Sequence, residues 1–456
     1  DDGRMVGGVI PLAWHLEDQR RTTKADLLVD AGDFMTGNPV CNLEEDGVPG
    51  VAVARMMTAL GYDVGVVGNH EFDIGSDKTA RLAGYFGFPL LAADIVDTKG
   101  RPVFRREPVI LDKGGLKVGV IGCSCEGMAE VVPAAKFGGW SMTDQEAVVR
   151  QLAESIDHKT DLIVLITHNG VDADRELARR LENSGVDVIV GGHSHTRLKE
   201  PELEGGILIV QAGSKMTNLG RLDLKVTDDR VVEYDGRLID LWSDGTYAGP
   251  ELTKMVQGYE NRVLDEFGVQ IGTAVRDLKK RKGESNLGNW LADVFRARAE
   301  ADVAFINTGG IRKALKAGPV TALDIHEILP FANNLITMDL TGRQLATIIQ
   351  RNADSAINRK HGILQVSGIR YTFRTSVDGQ TAEVQEILVG GRPLIPGEGY
   401  RVAMPDYVAV MADVYLNIDL PASEDLGVTL AKVVVAAVVE SGTIDAEIDG
   451  RIQKVK

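Results

Sequence analysis

VGVVGNHEFDIG, residues 64–75, decides how the rest of the chain is read. An apolar run stops at Gly68, and Asn69, His70, Glu71 and Asp73 then arrive almost together. A buried strand ends in that many polar groups where something at its end uses them. The same pattern recurs in ADLLVDAGD (25–33), DLIVLITHNG (161–170) and VDVIVGGHSH (186–195). LKVGVIG (116–122) and GGILIVQAGS (205–214) are further β-rich runs that stop at glycine or a polar residue. Helical patterns lie between them, at VPGVAVARMMTALG (48–61) and RELARRLENSG (175–185). Apolar runs without alternation, separated by helices, predict β-α-β units around a sheet covered on both faces.

A chain of 456 residues exceeds one ordinary core, so two domains are expected. The texture changes after about residue 225. VTDDRVVEYDGRLIDL (226–241) predicts a hairpin turning at DDR or DG, and SDGTYAGPEL (243–252) is rich in turn formers. We expect a first domain over 1–245, a linker helix over 246–269 and a second, mixed α/β domain over 270–456. The longest apolar run, VVVAAVV (433–439), is far shorter than the roughly 18 residues of a membrane helix and predicts a buried helix or strand. Hydrophobic residues at 44% and charged residues at 25% fit a globular protein. A net charge of −16 opposes binding to a nucleic acid polymer but leaves room for a small anionic substrate held by local cations. Cys41, Cys123 and Cys125 form no disulfide framework.

The strand ends carry Asp33, Asn69 with His70, His168, and His193 with His195. In open α/β sheets ligands gather at the carboxyl ends of strands, so residues spread along the chain converge. Carboxylate, amide oxygen and imidazole together suit Mn²⁺, Zn²⁺, Fe or Co²⁺. One histidine at a strand end is ordinarily structural. Four of the eight histidines in the order GD, GNHE, TH and GGHSH point to a metal site.

GDFMTGNP (32–39), GNHEFD (68–73), THNG (167–170) and GGHSHT (191–196) resemble the calcineurin-like metallophosphoesterases. With the second half included, the chain resembles the two-domain bacterial 5′-nucleotidase / UDP-sugar hydrolase family. The resemblance implies a four-layer α/β/β/α sandwich followed by a smaller mixed α/β domain. It implies two divalent metals, with Asp33 bridging, Asn69, His168 and His193 on one ion, and His195 on the other. His70 would stabilise the transition state or donate a proton to the leaving oxygen, with Asp73 orienting its ring. Glu71 would be structural, beneath the site.

The family pattern begins with a strand ending in Asp-x-His, which residues 1–10 do not contain. We expect that strand to precede residue 1; Asp2 and His15 are poor substitutes, His15 lying in an expected helix over 11–21. In the second half, KKRKGESNLGNWLADVF (279–295), INTGGIRKAL (306–315), LPFANNL (329–335) and LQVSGI (364–369) resemble the family's C-terminal domain. By that resemblance Arg312 and Arg281 would grip phosphate, with Arg276 a weaker third, and Asn307 would contact the nucleoside. Phe331 and Tyr407 would stack a base. Asp413 would bind ribose, although Met411-Ala412-Asp413-Val414 stands where the family has Gly-Gly-Asp-Gly.

The function implied is hydrolysis of nucleoside 5′-monophosphates or nucleotide diphosphate derivatives. The alternatives are a 2′,3′-cyclic nucleotide phosphodiesterase, another phosphoester hydrolase, or a surface protein with an incomplete metal site. The resemblance also implies a periplasmic, cell-surface or secreted location.

Overall fold

The computed structural model describes residues 5–23, 25–377 and 379–455, so Asp2 lies outside the described residues. The chain divides into two compact units, Asp1–Arg262 and Val263–Lys456.

In the first unit, four parallel strands form the centre of a six-stranded sheet. In spatial order they are Ile207–Val210, Val188–Val190, Leu162–Ile166 and Leu116–Gly122. Antiparallel strands Glu202–Glu204 and Val109–Lys113 close its two edges. A second, three-stranded parallel sheet holds Val29–Asp30, Val64–Val66 and Leu90–Leu91.

The apolar runs show no alternation because both sheet faces are covered. Ile163 and Leu165 face the helices Gln145–Ile156 and Val171–Arg180, in one core with Val149, Leu177 and Ala178. Leu162, Val164 and Ile166 face the other way and pack with Val64, Val66 and Leu91 of the smaller sheet. Val67, Leu90 and Ala92 then pack against Met57 of the helix Val51–Leu60. Helices, sheet, sheet and helices follow one another, which gives four layers.

Local signals act as their chemistry requires. The helix Val51–Leu60 ends at Gly61, whose φ of 78° is the left-handed conformation glycine adopts freely. The hairpin Asn218–Thr227/Arg230–Asp240 turns at Asp228 and Asp229, both with positive φ, and not at Asp235-Gly236. Gly236 lies within its strand because a Cβ there would come 2.4 Å from the Pro201 ring. The first helix runs over Val9–Arg20 and carries His15.

The units divide inside the helix Pro250–Phe267, within the expected linker over 246–269, and the helix up to Arg262 is fastened to the first unit. Tyr259 is buried, and Arg262 pairs with Glu45 at 2.8 Å and donates to the Glu44 carbonyl.

The second unit is built on a five-stranded sheet in the order Leu364–Ser367, Val303–Asn307, Gly399–Pro405, Asn334–Thr341, Ser423–Thr429. Alternation along Val303–Asn307 serves two cores. Ala304 and Ile306 face helices Asn286–Arg298 and Leu430–Ser441, while Val303 and Phe305 face helix Gly342–Asn358. The run at 433–439 is thus a buried helix, with Val433, Val434 and Val438 inside.

Leu165→Ala removes a fully buried side chain between sheet and helices. It should cost about 2–5 kcal/mol in urea denaturation followed by circular dichroism. Leu203→Ala, at a side chain 58% exposed, should stay within about 0.5 kcal/mol of wild type.

Candidate metal centre

Three strand ends in the first unit meet at His168. The glycines of the GD, GNH and GGH motifs make room for its ring. A Cβ on Gly32 would lie 2.7 Å from the Gly68 nitrogen, and one on Gly192 would lie 2.8 Å from Nδ1 of His168. A Cβ on Gly68 would lie 2.5 Å from Oδ1 of Asp33 and 2.8 Å from Cε1 of His168. Any side chain at these positions would push the loops apart.

Asp33, His168 and His193 offer ligand atoms all within 4.8 Å of one another. Nδ1 of His168 faces the Ala31 carbonyl, which only accepts, so Nδ1 carries a proton. Nε2 is buried 3.1 Å from Oδ2 of Asp33 and has no other partner. With Nε2 protonated the two groups pair as imidazolium and carboxylate; with the ring neutral both offer lone pairs to a cation. Asp33, His193 and the orphaned Nε2 of His168 therefore fit a divalent metal.

The electrostatics agree. Burial alone would raise the Asp33 carboxyl, but the charge and hydrogen bonding of His168, and then His70, hold it below the usual range. Burial disfavours the His168 imidazolium, yet Asp33, the Ala31 carbonyl and Glu71 together raise its pKa. His193 is lowered by burial and by the charge of His168, which keeps its ring neutral and ready to ligate. Nδ1 of His193 lies 3.0 Å from Oδ1 of Asn69, so Asn69 joins the cluster through this contact. His195 is not among the three residues brought together, although it feels the charges of Asp33, His70 and His168. Asp33, His193 and His195 hold φ values of 67°, 68° and 57°. Such strain in non-glycine residues concentrates where side chains must be aimed.

His70 stands beside this cluster. Its backbone N–H donates to Oδ1 of Asp33 at 2.9 Å, and its Nδ1 lies 3.0 Å from Oδ2 of Asp73. Burial would lower the imidazole, but Asp73, by charge and hydrogen bond, and then Asp33 and Glu71 raise it to about 9.

Glu71 lies beneath the site and fastens two strand ends together. Its carboxylate accepts backbone N–H groups from Gly68 at 2.6 Å, Asp33 at 2.9 Å and Met35 at 3.1 Å. A second buried network escaped the sequence reading. Asn169 donates to Gln145, Gln145 donates to Asp94, and Asp94 accepts the Ser124 N–H. The Ser124 hydroxyl donates to the Val67 carbonyl, one residue before Gly68. This chain of bonds ties the loop carrying His168 to the loop carrying Asn69. The polar Asn169 in THNG was its one visible signal.

In the second unit, Asn307 ends its strand 3% exposed, with Oδ1 unpartnered. It lines a cleft with Ile306, Gly310, Leu329, Phe331, Asn333 and Leu430. Arg312 donates to the Gly309 carbonyl, and its guanidinium lies 5.7 Å from the Phe331 ring centre, within cation–π range. Arg281 is exposed; the bridge between Leu278 and Leu315 sets its segment beside that of Arg312. Arg276, the weaker third phosphate candidate, pairs with Asp445 and Glu447. Tyr407 is half-buried. Asp413 is exposed and is not among the residues lining the cleft, and its backbone carbonyl accepts from Arg351 at 3.2 Å.

Comparison with known proteins agrees with both halves. Residues 6–197 match the family model of calcineurin-like phosphoesterases. Residues 268–417 match that of the 5′-nucleotidase C-terminal domain. A trifunctional nucleotide phosphoesterase, YfkN of Bacillus subtilis, is 28% identical over 96% of this chain, which spans only 33% of that protein. A 5′-nucleotidase of Vibrio vulnificus is 28% identical over 85% of this chain and 77% of its own length. The structure of a 5′-nucleotidase precursor from Thermus thermophilus superposes with a TM-score of 0.75 at 26% identity, covering 99% of this chain and 94% of that one. The chain belongs to the calcineurin-like phosphoesterases that carry a 5′-nucleotidase C-terminal domain.

Proposed function

We propose that this protein hydrolyses nucleoside 5′-monophosphates, and related nucleotide phosphoesters, with divalent metal bound at Asp33, Asn69, His168 and His193. The observation that carries the reading is the Asp33–His168–His193 cluster, with His168 buried at its centre and the His70–Asp73 pair beside it. His195 is proposed as a ligand of a second ion. Mn²⁺, Zn²⁺, Co²⁺ and Fe all suit this donor set. Bound metal would supply Lewis-acid clamping of the phosphate and an activated water.

The residues of the chain supply the rest. Glu71 holds Asp33 in place through its backbone N–H, so the carboxylate does not drift between ligand positions. His70, raised by Asp73, is an imidazolium at neutral pH and can hand a proton to the departing oxygen. Asp73 fixes which ring nitrogen faces the substrate, because Nδ1 is engaged. In the second unit, Arg281 and Arg312 are proposed phosphate contacts, the planar guanidinium fork matching phosphate oxygens. Asn307, Phe331 and Tyr407 are proposed to hold the nucleoside. The names of the Vibrio and Thermus relatives support the monophosphate reading. Cyclic nucleotides stay on the substrate panel because the 411–414 segment departs from the glycine turn. A periplasmic or cell-surface location is proposed with the family reading; among the described residues no helix is long and apolar enough to cross a membrane.

Phosphate release from AMP with Mn²⁺ tests the reading. Wild type should release phosphate, and His70→Ala should lower kcat by about 10²–10⁴-fold. No release from well-folded wild type would count against it. A pH profile adds a second test. His70 loses its proton as pH rises through its pKa, so kcat should fall on the alkaline side. Asp73→Asn removes the partner that raises this pKa, so the alkaline limb should move to lower pH. An unmoved limb would show that another group sets it.

A further inference from the structure

The run GGILIVQAGS ends in Gln211, a polar strand end that the metal reading does not use. Its strand, Ile207–Val210, runs parallel to Val188–Val190, with Val210 opposite Val190. That register sets Gln211 beside the loop 191–196, which carries His193 and His195. The side chain is 3% exposed, so its amide has to find partners within the protein.

Every side-chain hydrogen bond that Gln211 makes among the described residues goes to that one loop. Nε2 donates to the Gly192 carbonyl at 2.7 Å. Oε1 accepts the Thr196 N–H at 2.5 Å and the Ser194 hydroxyl at 2.9 Å. The residues held, Gly192, Ser194 and Thr196, alternate with the two histidines, so each histidine is fastened on both sides by a single amide group. The Ser194 hydroxyl also accepts the Val171 N–H at 3.0 Å, which ties the loop to the helix that follows His168. His193 and His195 hold left-handed backbone, with φ values of 68° and 57°. Residues other than glycine keep such a conformation only where their surroundings enforce it. The bonds at 192, 194 and 196 supply that enforcement. Backbone conformation fixes the direction in which each Cβ leaves the chain, so the same bonds aim the two rings.

We propose that Gln211 is a positioning residue for metal binding, whose amide aims His193 and His195 together and so couples the two ligand positions. This rests on the metal reading above, in which the two histidines serve different ions. Gln211 acts through the histidines, by bonds to the backbone and hydroxyl that flank them. The role needs an amide, because one group has to donate to a carbonyl and accept from an N–H and an O–H at the same time. Hydrogen-bonded supports of this kind set ligand geometry and tune the metal's affinity.

Titration of the chelator-stripped full chain with Co²⁺, followed by its visible d–d absorption, tests the proposal without requiring catalysis. The band reports the geometry of the ligand set. Gln211→Met keeps the bulk of the side chain and removes both donor and acceptor. It should weaken Co²⁺ binding by about tenfold and alter the position or intensity of the band at saturating metal. A merely structural role would lower the melting temperature and leave the affinity and the band of the folded protein as in wild type, which overturns the proposal. Ser194→Ala gives a second variant at an exposed residue, where the fold is kept. It removes one of the three bonds and should change the band in the same direction by a smaller amount. An unchanged band in this variant overturns the proposal even where Gln211→Met does not fold. If wild type binds Co²⁺ and both variants match it, the positioning proposal alone falls. If wild type binds no Co²⁺, the metal reading falls and takes the proposal with it.

Discussion

The first unit depends on one close contact, Nε2 of His168 against the carboxylate of Asp33. With neither a proton nor a cation there, two acceptors would repel and the loops that carry them would relax apart. They are held by what surrounds them. Glycines at 32, 68 and 192 let three backbones close around the imidazole. Glu71 stitches two of those loops through their N–H groups, Gln211 donates to the Gly192 carbonyl of the third, and the Asp94–Gln145–Asn169 bonds brace the loop that carries His168. A scaffold that enforces contact between acceptors is preorganised for a cation.

Much of this was legible. Each strand end announced itself by an apolar run stopping at glycine followed by a ligand-type residue, and Asp33, His168 and His193 do meet. The covered sheet followed from runs such as DLIVLITHNG, whose lack of alternation reflects two covered faces, whereas the four layers were implied by the family resemblance. The bracing was not legible, because Asp94 and Gln145 lie in stretches with no motif and act only through pairing across loops. The point of division inside the linker helix was not legible either, because it depends on Tyr259 and Arg262, which hold the helix to the first unit.

In the second unit, the family resemblance pointed to Asn307 and Phe331, which line one small cleft, while local pairing was not legible. Arg276 looked free in a basic run and is engaged by two acids from near the C-terminus. Asp413 looked like a sugar ligand by alignment of motifs and is exposed. Met411-Ala412-Asp413-Val414, where the family has glycines, forms a helical turn over Ala412–Tyr415. Spacing along a chain identifies which residues share a loop, but not which of them face the ligand.

The most direct test of the central claim is equilibrium dialysis of chelator-stripped protein against Mn²⁺ or Zn²⁺, comparing wild type with His168→Ala. The account predicts at least one tightly bound ion per chain in wild type and loss of that ion in the variant. Absence of tight binding in wild type, or equal binding in both, would contradict it.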